Sequence, residues 1–209
     1  MASRDQFRCQ RRVIAVIVAS CFATVRVYAN PVGPAVASGQ ASFQTAGSVL
    51  TITNSPRAII NWQSFSIAAG ETTRFVQQTA ASAVLNRIVT QNPSAILGAL
   101  QSNGRVFLIN PNGIVFGAGS KLDVAGLVAS TLNISDADFL AGRLRFQETA
   151  GAGSVVNQGT ISTGSGGSVY LVGSAVTNQG LITTPQGETI LAAGKSVELV
   201  DPGTPNLRV

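Results

Sequence analysis

Histidine is absent from this 209-residue chain, and its two cysteines, Cys9 and Cys21, both fall before residue 30. Beyond that point there is no thiolate nucleophile, no imidazole base, no His- or Cys-ligated metal and no Ser-His-Asp triad. Disulfides are excluded there as well. Charge is sparse too, at 11 % of residues, and much of the apparent excess of positive charge sits at the start. Five of the 14 Lys and Arg residues, and one of the nine acids, precede Asn30. The remainder carries nine basic and eight acidic residues, close to neutrality. A near-neutral chain is a poor nucleic-acid binder, because that binding depends on neutralising phosphates.

The first 29 residues have the layout of a secretory signal. Arg4, Arg8, Arg11 and Arg12 precede an apolar run from Val13 to Val25, and Val27-Tyr28-Ala29 ends on a small residue. The run is too short to span a bilayer as a helix, so cleavage is expected between Ala29 and Asn30. Two other readings use the same segment. Val18-Ala19-Ser20-Cys21 resembles a lipoprotein box that would lipidate Cys21, and Arg11-Arg12 resembles a twin-arginine pair without the rest of its pattern.

From Asn30 onward the chain is rich in Gly, Ser, Thr, Asn and Val, in short apolar runs bounded by Gly or Asn, which predicts an all-β domain. An internal repeat narrows this. "VNQGTIST" at 156–163 returns as "TNQGLITT" at 177–184, pairing Asn157 with Asn178, Gly159 with Gly180 and Ile161 with Ile182. The same offset of 21 would pair Gly166 with Gly187, Val169 with Ile190, Gly173 with Gly194 and Val176 with Val197. Such a period suits one coil of a β-solenoid, with rungs about 4.8 Å apart and like residues stacked. Held throughout, it predicts about eight or nine coils. The stacked Asn157 and Asn178 would pass a side-chain amide bond between coils. Ile161/Ile182 and Val176/Val197 are the expected interior. At 168–172 both alternating faces are apolar, so another strand or a partner should cover the outer one.

Three segments read as helical. "ASAVLNRI" (81–88) and "NPSAILGAL" (92–100) could each hold a turn, the second capped by Ser94. Ser135-Asp136-Ala137-Asp138 before Phe139-Leu140 and Gly142 reads as a capped turn. The cap is preferred to an acid pair or cation site at Asp136 and Asp138. Trp62, the only tryptophan, has apolar neighbours and reads as core or cap packing. Arg74, Arg87 and Arg105 read as solvated or paired with acids.

Asn110-Pro111-Asn112-Gly113-Ile114 joins two β-type runs. Pro111 fixes φ, Gly113 accepts positive φ, and Asn110 can bond its own downstream backbone, so the segment reads as a sharp turn. For Asn110 and Asn112, a purely structural role and recognition by a partner are both open.

Together "INWQSFSIAAGETTRFVQ", "SAVLNRIV", "NPSAILGAL", "NGRVFLINPNGIVFG", "GLVASTLNISDADFLAG" and "VVNQGTI" resemble the two-partner secretion domain of filamentous-haemagglutinin-like exoproteins, nearest the adhesin and haem-carrier branch. The resemblance runs from about Asn30 to Val200. It implies a right-handed parallel β-helix with an N-terminal cap and extra-helical strands. It also implies a front domain of a longer secreted passenger of a Gram-negative cell. The expected partner is an outer-membrane TpsB-type barrel transporter with periplasmic domains, with a host-cell or surface receptor for the passenger. No catalysis and no cofactor are implied. Residues 110–114 match the family's N-P-N-G-I motif, tied to secretion competence. The N-P-N-L motif of some members is absent, and Asn92-Pro93-Ser94 is the comparable Asn-Pro. The competing functions are a β-helix polysaccharide-active enzyme, which would need clustered carboxylates that the scattered acids do not suggest, and a surface domain lipidated through Cys21. A solenoid ending near "VELVDPGTPNLRV" would leave an open edge, consistent with a longer passenger.

Overall fold

The structure, a computed structural model, describes residues 30–149 and 151–200. Alternation of apolar and polar residues sets its strands. Leu50 and Ile52 point inward and are buried, while Thr53 faces out. The period of two turns every second side chain to the same face.

Two antiparallel pieces come first: β1 (Ala35–Ser38) and β2 (Ala41–Ala46). The first coil holds β3 (Val49–Asn54), β4 (Ala58–Trp62) and a bridge at Ile67. The second holds β5 (Thr72–Val76), β6 (Ala83–Ile88) and β7 (Ser94–Ile96). In the third, one long strand, β8 (Ala99–Ile109), bends across two faces before β9 (Ile114–Phe116). The fourth repeats that plan with β10 (Lys121–Ser130). It then leaves the coil for β11 (Asn133–Ile134), α1 (Asp136–Ala141) and β12 (Leu144–Gln147), and returns as β13 (Ser154–Asn157). The fifth is β14 (Thr160–Thr163), β15 (Val169–Gly173) and β16 (Ala175–Asn178). The last is β17 (Leu181–Thr183), β18 (Thr189–Ala193) and β19 (Ser196–Leu199).

Equivalent strands pair in parallel and make three faces. The first stacks β3, β5, the start of β8, the start of β10, β14 and β17. The second stacks β4, β6, the ends of β8 and β10, β15 and β18. The third stacks β7, β9, β13 and β16. The parallel β-helix is therefore present, but with six rungs on the longest faces rather than eight or nine. The 21-residue period is local. On the first face Val49 lies opposite Thr72, Thr72 opposite Ala99, Ala99 opposite Lys121, Lys121 opposite Thr160, and Thr160 opposite Leu181. The early corners are longer, the fourth coil carries the excursion, and residues 30–48 serve the cap. β1 and β2 supply that cap by antiparallel pairing with β4 and β3.

Several sequence expectations need correcting. Residues 83–88 and 94–96 are strands, not helical turns. Val84, Ile88 and Ile96 face the interior cluster, and Leu85 faces the opposite cluster, so their spacing serves two cores. Ser94 caps no helix. Asn157 does lie opposite Asn178, and Ile161 opposite Ile182. Beyond them the offset shortens by one, so Val169 lies opposite Thr189, Tyr170 opposite Ile190, and Gly173 opposite Ala193. Six residues separate Ser162 from Val169, but only five separate its partner Thr183 from Thr189, which also breaks the Gly166–Gly187 match. Val176 and Val197 do not stack, because β19 leaves the third face and pairs antiparallel with β12.

The doubly apolar run at 168–172 has the cover it calls for. Val169 and Leu171 enter the interior core, while Val172 and Tyr170 belong to a second cluster outside the second face. That cluster is roofed by α1 and by the antiparallel sheet β11-β12-β19, through Ile134, Phe139, Phe146, Val197 and Leu199. Phe107 and Phe139 meet edge-on with centroids 5.1 Å apart. Ser135 caps α1 by accepting from the Asp138 amide, and Gly142 closes it in the left-handed region. Trp62 is fully buried in the core, edge-on to Phe43 and Phe65, and its indole N–H donates to Asn86 Oδ1 at 2.9 Å. At the other end of the stack, inward-facing Leu191 is 45 % exposed, since no further rung lies over it among the described residues.

Candidate functional site

The corner between the second and third faces carries the densest polar network tied to a sequence motif. β8 ends at Ile109, and β9 starts at Ile114. Both isoleucines are fully buried, so the four residues between them must reverse direction within a short span. Asn110 N–H continues the ladder to Ser130 O, and the Gly113 amide closes the turn onto Asn110 O at 3.2 Å. Gly113 has φ of 117°, which a side chain would strain.

Asn110 is fully buried and uses its whole amide. Its Nδ2 donates to Asn92 O and to Ser94 Oγ, each at 2.9 Å. Its Oδ1 accepts from the Asn112 backbone at 3.0 Å and from Asn112 Nδ2 at 2.9 Å. Asn112 Nδ2 also reaches back one coil to Thr90 O at 2.7 Å. In the other direction, Pro111 O accepts from Gly153 N at 2.7 Å. A Cβ on Gly153 would lie 2.9 Å from the Asn112 carbonyl, so any side chain there would force the backbone of the turn to shift. The Asn-Pro at 92–93 thus lies one coil before Asn110-Pro111, bonded to it.

The five motif residues divide by accessibility. Asn110 and Ile114 are buried, whereas Pro111, Asn112 and Gly113 are half-buried and reach the surface. The motif therefore holds two anchors and a three-residue outward crest.

The other predicted residues lie elsewhere. Asn157 Nδ2 donates to Asn178 Oδ1 at 2.7 Å, and Asn157 Oδ1 accepts from Gly159 N. This pair is a coil-to-coil clamp on the third face. Asp136 pairs with Arg87 at 2.7 Å, and Asp138 pairs with Arg143 at 2.7 Å. The Ser135 hydroxyl, helped by Arg143, holds the Asp138 carboxyl below the usual carboxylate range. Asp136 thus fastens the excursion to the coil, and Asp138 braces α1 within the excursion. Arg74 donates to Gln101 Oε1, and Arg105 to Ala81 O. Among the described residues no three His, Cys, Asp or Glu side chains gather as metal ligands would. Asn30 is described, with Nδ2 donating to Ser48 O and Oδ1 accepting from Thr73 Oγ1. Ala29 and Cys21 lie outside the described residues. Motif reading missed a groove beside α1, because its residues come from separate segments of the chain. Gly126 inside a strand run was the one local signal.

The pattern defining the TPS secretion domain matches residues 28–208. A heme/hemopexin-binding protein of Haemophilus influenzae strain Rd is 37 % identical over 127 residues, covering 58 % of this chain and 14 % of the relative. A second H. influenzae protein of the same name is 37 % identical over 90 residues, covering 43 % of this chain and 10 % of the relative. The chain thus matches only a small fraction of the length of these curated relatives. The crystal structure of the HMW1 secretion domain from H. influenzae superposes with a TM-score of 0.79 at 40 % identity. That superposition covers 81 % of this chain and 46 % of the other.

Proposed function

Since the chain belongs to the TPS secretion domain family, we propose that it directs export of a longer protein and is recognised by an outer-membrane barrel transporter with periplasmic domains. The observation that carries the recognition surface is the split within residues 110–114. A partner meeting the folded domain can touch Pro111, Asn112 and Gly113, but it can reach Asn110 and Ile114 only by opening the coil. Asn110 and Ile114 therefore set the shape of the crest, and Pro111 with Asn112 is the part that is read. Residues 1–29 serve as the cleaved signal that delivers the chain to the periplasm, with Asn30 as the first retained residue.

Coils that the longer protein adds outside the cell, beyond this already folded domain, support outward movement in this reading. Each rung buries apolar side chains against the one before and satisfies the backbone edge it leaves open. The names of the Haemophilus relatives refer to haem and hemopexin. Residues 30–200 of this chain hold no His, Cys or Met to ligate a haem iron, and their one tyrosine, Tyr170, is half-buried with its hydroxyl bonded to Glu188. We therefore place haem carriage or receptor binding, where the longer protein has either, beyond this domain.

The test is export in a Gram-negative host with and without the barrel transporter from the same bacterium. The chain should reach the medium only when the transporter is present and remain periplasmic otherwise. Equal amounts in the medium under both conditions would refute the proposal.

A further inference from the structure

A groove of about 510 Å³ runs along the outer side of the second face, beside α1. Phe107, Val128 and Tyr170 lie on successive rungs and make its floor. Phe139 and Leu144 from the excursion form one wall, and the loop 164–168 forms the other. Phe107, Val128 and Phe139 are only 4 to 6 % exposed, so the groove suits one or two inserted side chains rather than a broad apolar interface.

Arg57 and Arg105 line the same groove. The side-chain bonds they make go to backbone carbonyls, Arg57 to Leu140 O and Arg105 to Ala81 O. The ion pairs among the described residues belong instead to Arg87, Arg143 and Arg145. Each guanidinium has five N–H donors, so most of its capacity for a carboxylate is unspent. Gly126 lies directly opposite Arg105 within β10. A Cβ there would come within 3.0 Å of Arg105 Cγ, so this glycine lets the arginine stem lie flat along the groove.

From these observations, and resting on the reading of this chain as a transporter-recognised domain, we propose that the groove docks an acidic-apolar segment of the transporter's periplasmic domains. One aromatic or aliphatic side chain seats on Phe107 and Val128, and a neighbouring carboxylate pairs with Arg105 and Arg57. Charge selects this occupant. The chain's own first 29 residues, with five arginines against one acid, have the wrong sign. The placement also fits the crest at Pro111–Asn112. Arg105 and Asn110 stand at opposite ends of one rung, roughly 17 Å apart at strand rise. A partner laid along that rung would contact both.

The test places a photo-crosslinking amino acid at Ser165, on the groove wall, in the full chain produced with the barrel transporter of the same bacterium. The expected product joins Ser165 to a periplasmic segment in which Asp or Glu neighbours an apolar residue. Its yield should fall about tenfold in the double variant Arg57→Asn/Arg105→Gln, which removes the charge-assisted bonds. Thermal melting should be unchanged, because both arginines are exposed. Reversing Arg105 to Glu should also abolish the product, and an Asp- or Glu-to-Arg change in the crosslinked segment should restore it. A crosslink to a second copy, to a polysaccharide or to an uncharged segment would overturn the proposal. So would the absence of any crosslink while export proceeds, and that outcome would leave the secretion reading standing. Export that does not need the transporter would instead sink the secretion reading.

Discussion

Replacing Asn110 by Ala is the most informative perturbation of the corner. The residue is fully buried, and its amide makes four bonds, two as donor and two as acceptor. Truncation leaves Ser94 Oγ, which is buried, without this donor, and it frees the Asn112 amide and side chain, which are half-exposed and can turn to water. With the two bonds to Asn112 replaced by water, about 1 kcal/mol for the bond to Asn92 O and about 2 kcal/mol for the donor lost to buried Ser94 Oγ give about 3 kcal/mol. For a domain of this size, that lowers Tm by roughly 6–12 °C. Circular dichroism melts of the purified domain measure the shift directly. A variant melting within ~1 °C of the parent would refute the argument that Asn110 holds the corner. Asn110→Asp refines the test. It keeps the two bonds at Oδ1 but turns a second carboxylate oxygen toward the Asn92 carbonyl. Burial favours its neutral form, so that variant should lose stability as pH rises above the usual carboxylate range.

Four further outcomes are expected of single substitutions. Gly153→Ala brings a methyl to 2.9 Å from the Asn112 carbonyl, with faster amide exchange expected at 151–157 before the rest of the coil. The cost should be about 1–3 kcal/mol. Trp62→Phe leaves Asn86 Oδ1 without its indole donor in the core and should cost about 1–3 kcal/mol in denaturant titration. In the parent, fluorescence from this single tryptophan should resist acrylamide until unfolding. Phe139→Ala should cost about 3 kcal/mol or more and should expose the excursion to protease while the inner stack survives. Asp138 has a lowered carboxyl pKa, so the stability it lends is present above the usual carboxylate range and is lost as pH falls through its own value. Acid should therefore loosen α1, and Asp138→Asn should flatten that dependence in amide exchange at 135–147.

The sequence announced its architecture where neighbouring coils have equal length. The register of Asn157 on Asn178 and Ile161 on Ile182 was legible because residues 156–163 and 177–184 serve the same faces. One residue dropped from the following turn was enough to misplace Val169, and the departure of β19 from the third face misplaced Val176. Earlier coils hide the period behind corners of unequal length and behind an excursion inserted at Thr131. Residues 83–88 looked helical because Leu85 packs outward while Val84 and Ile88 pack inward, a two-core pattern that resembles helical spacing. The turn at 110–113 was legible because its chemistry is contiguous. Its bonds to Thr90, Asn92 and Ser94 were not, since stacking alone brings them near. The groove was illegible for the same reason: its arginines, at 57 and 105, are far apart in sequence and share no motif.

The central claim is that the transporter reads the outward crest of a folded corner, so export should depend on side chains that stability does not need. Export of Asn112→Ser through the transporter, measured beside its melting curve, tests this most directly. Asn112→Ser keeps a small polar group at a half-exposed site and gives up the Nδ2 bonds to Thr90 O and Asn110 Oδ1, while Asn110 Oδ1 still accepts from the residue 112 backbone. The account predicts that secretion falls about tenfold or more while Tm shifts by no more than about 4 °C. Undiminished secretion by a variant that melts normally would contradict it.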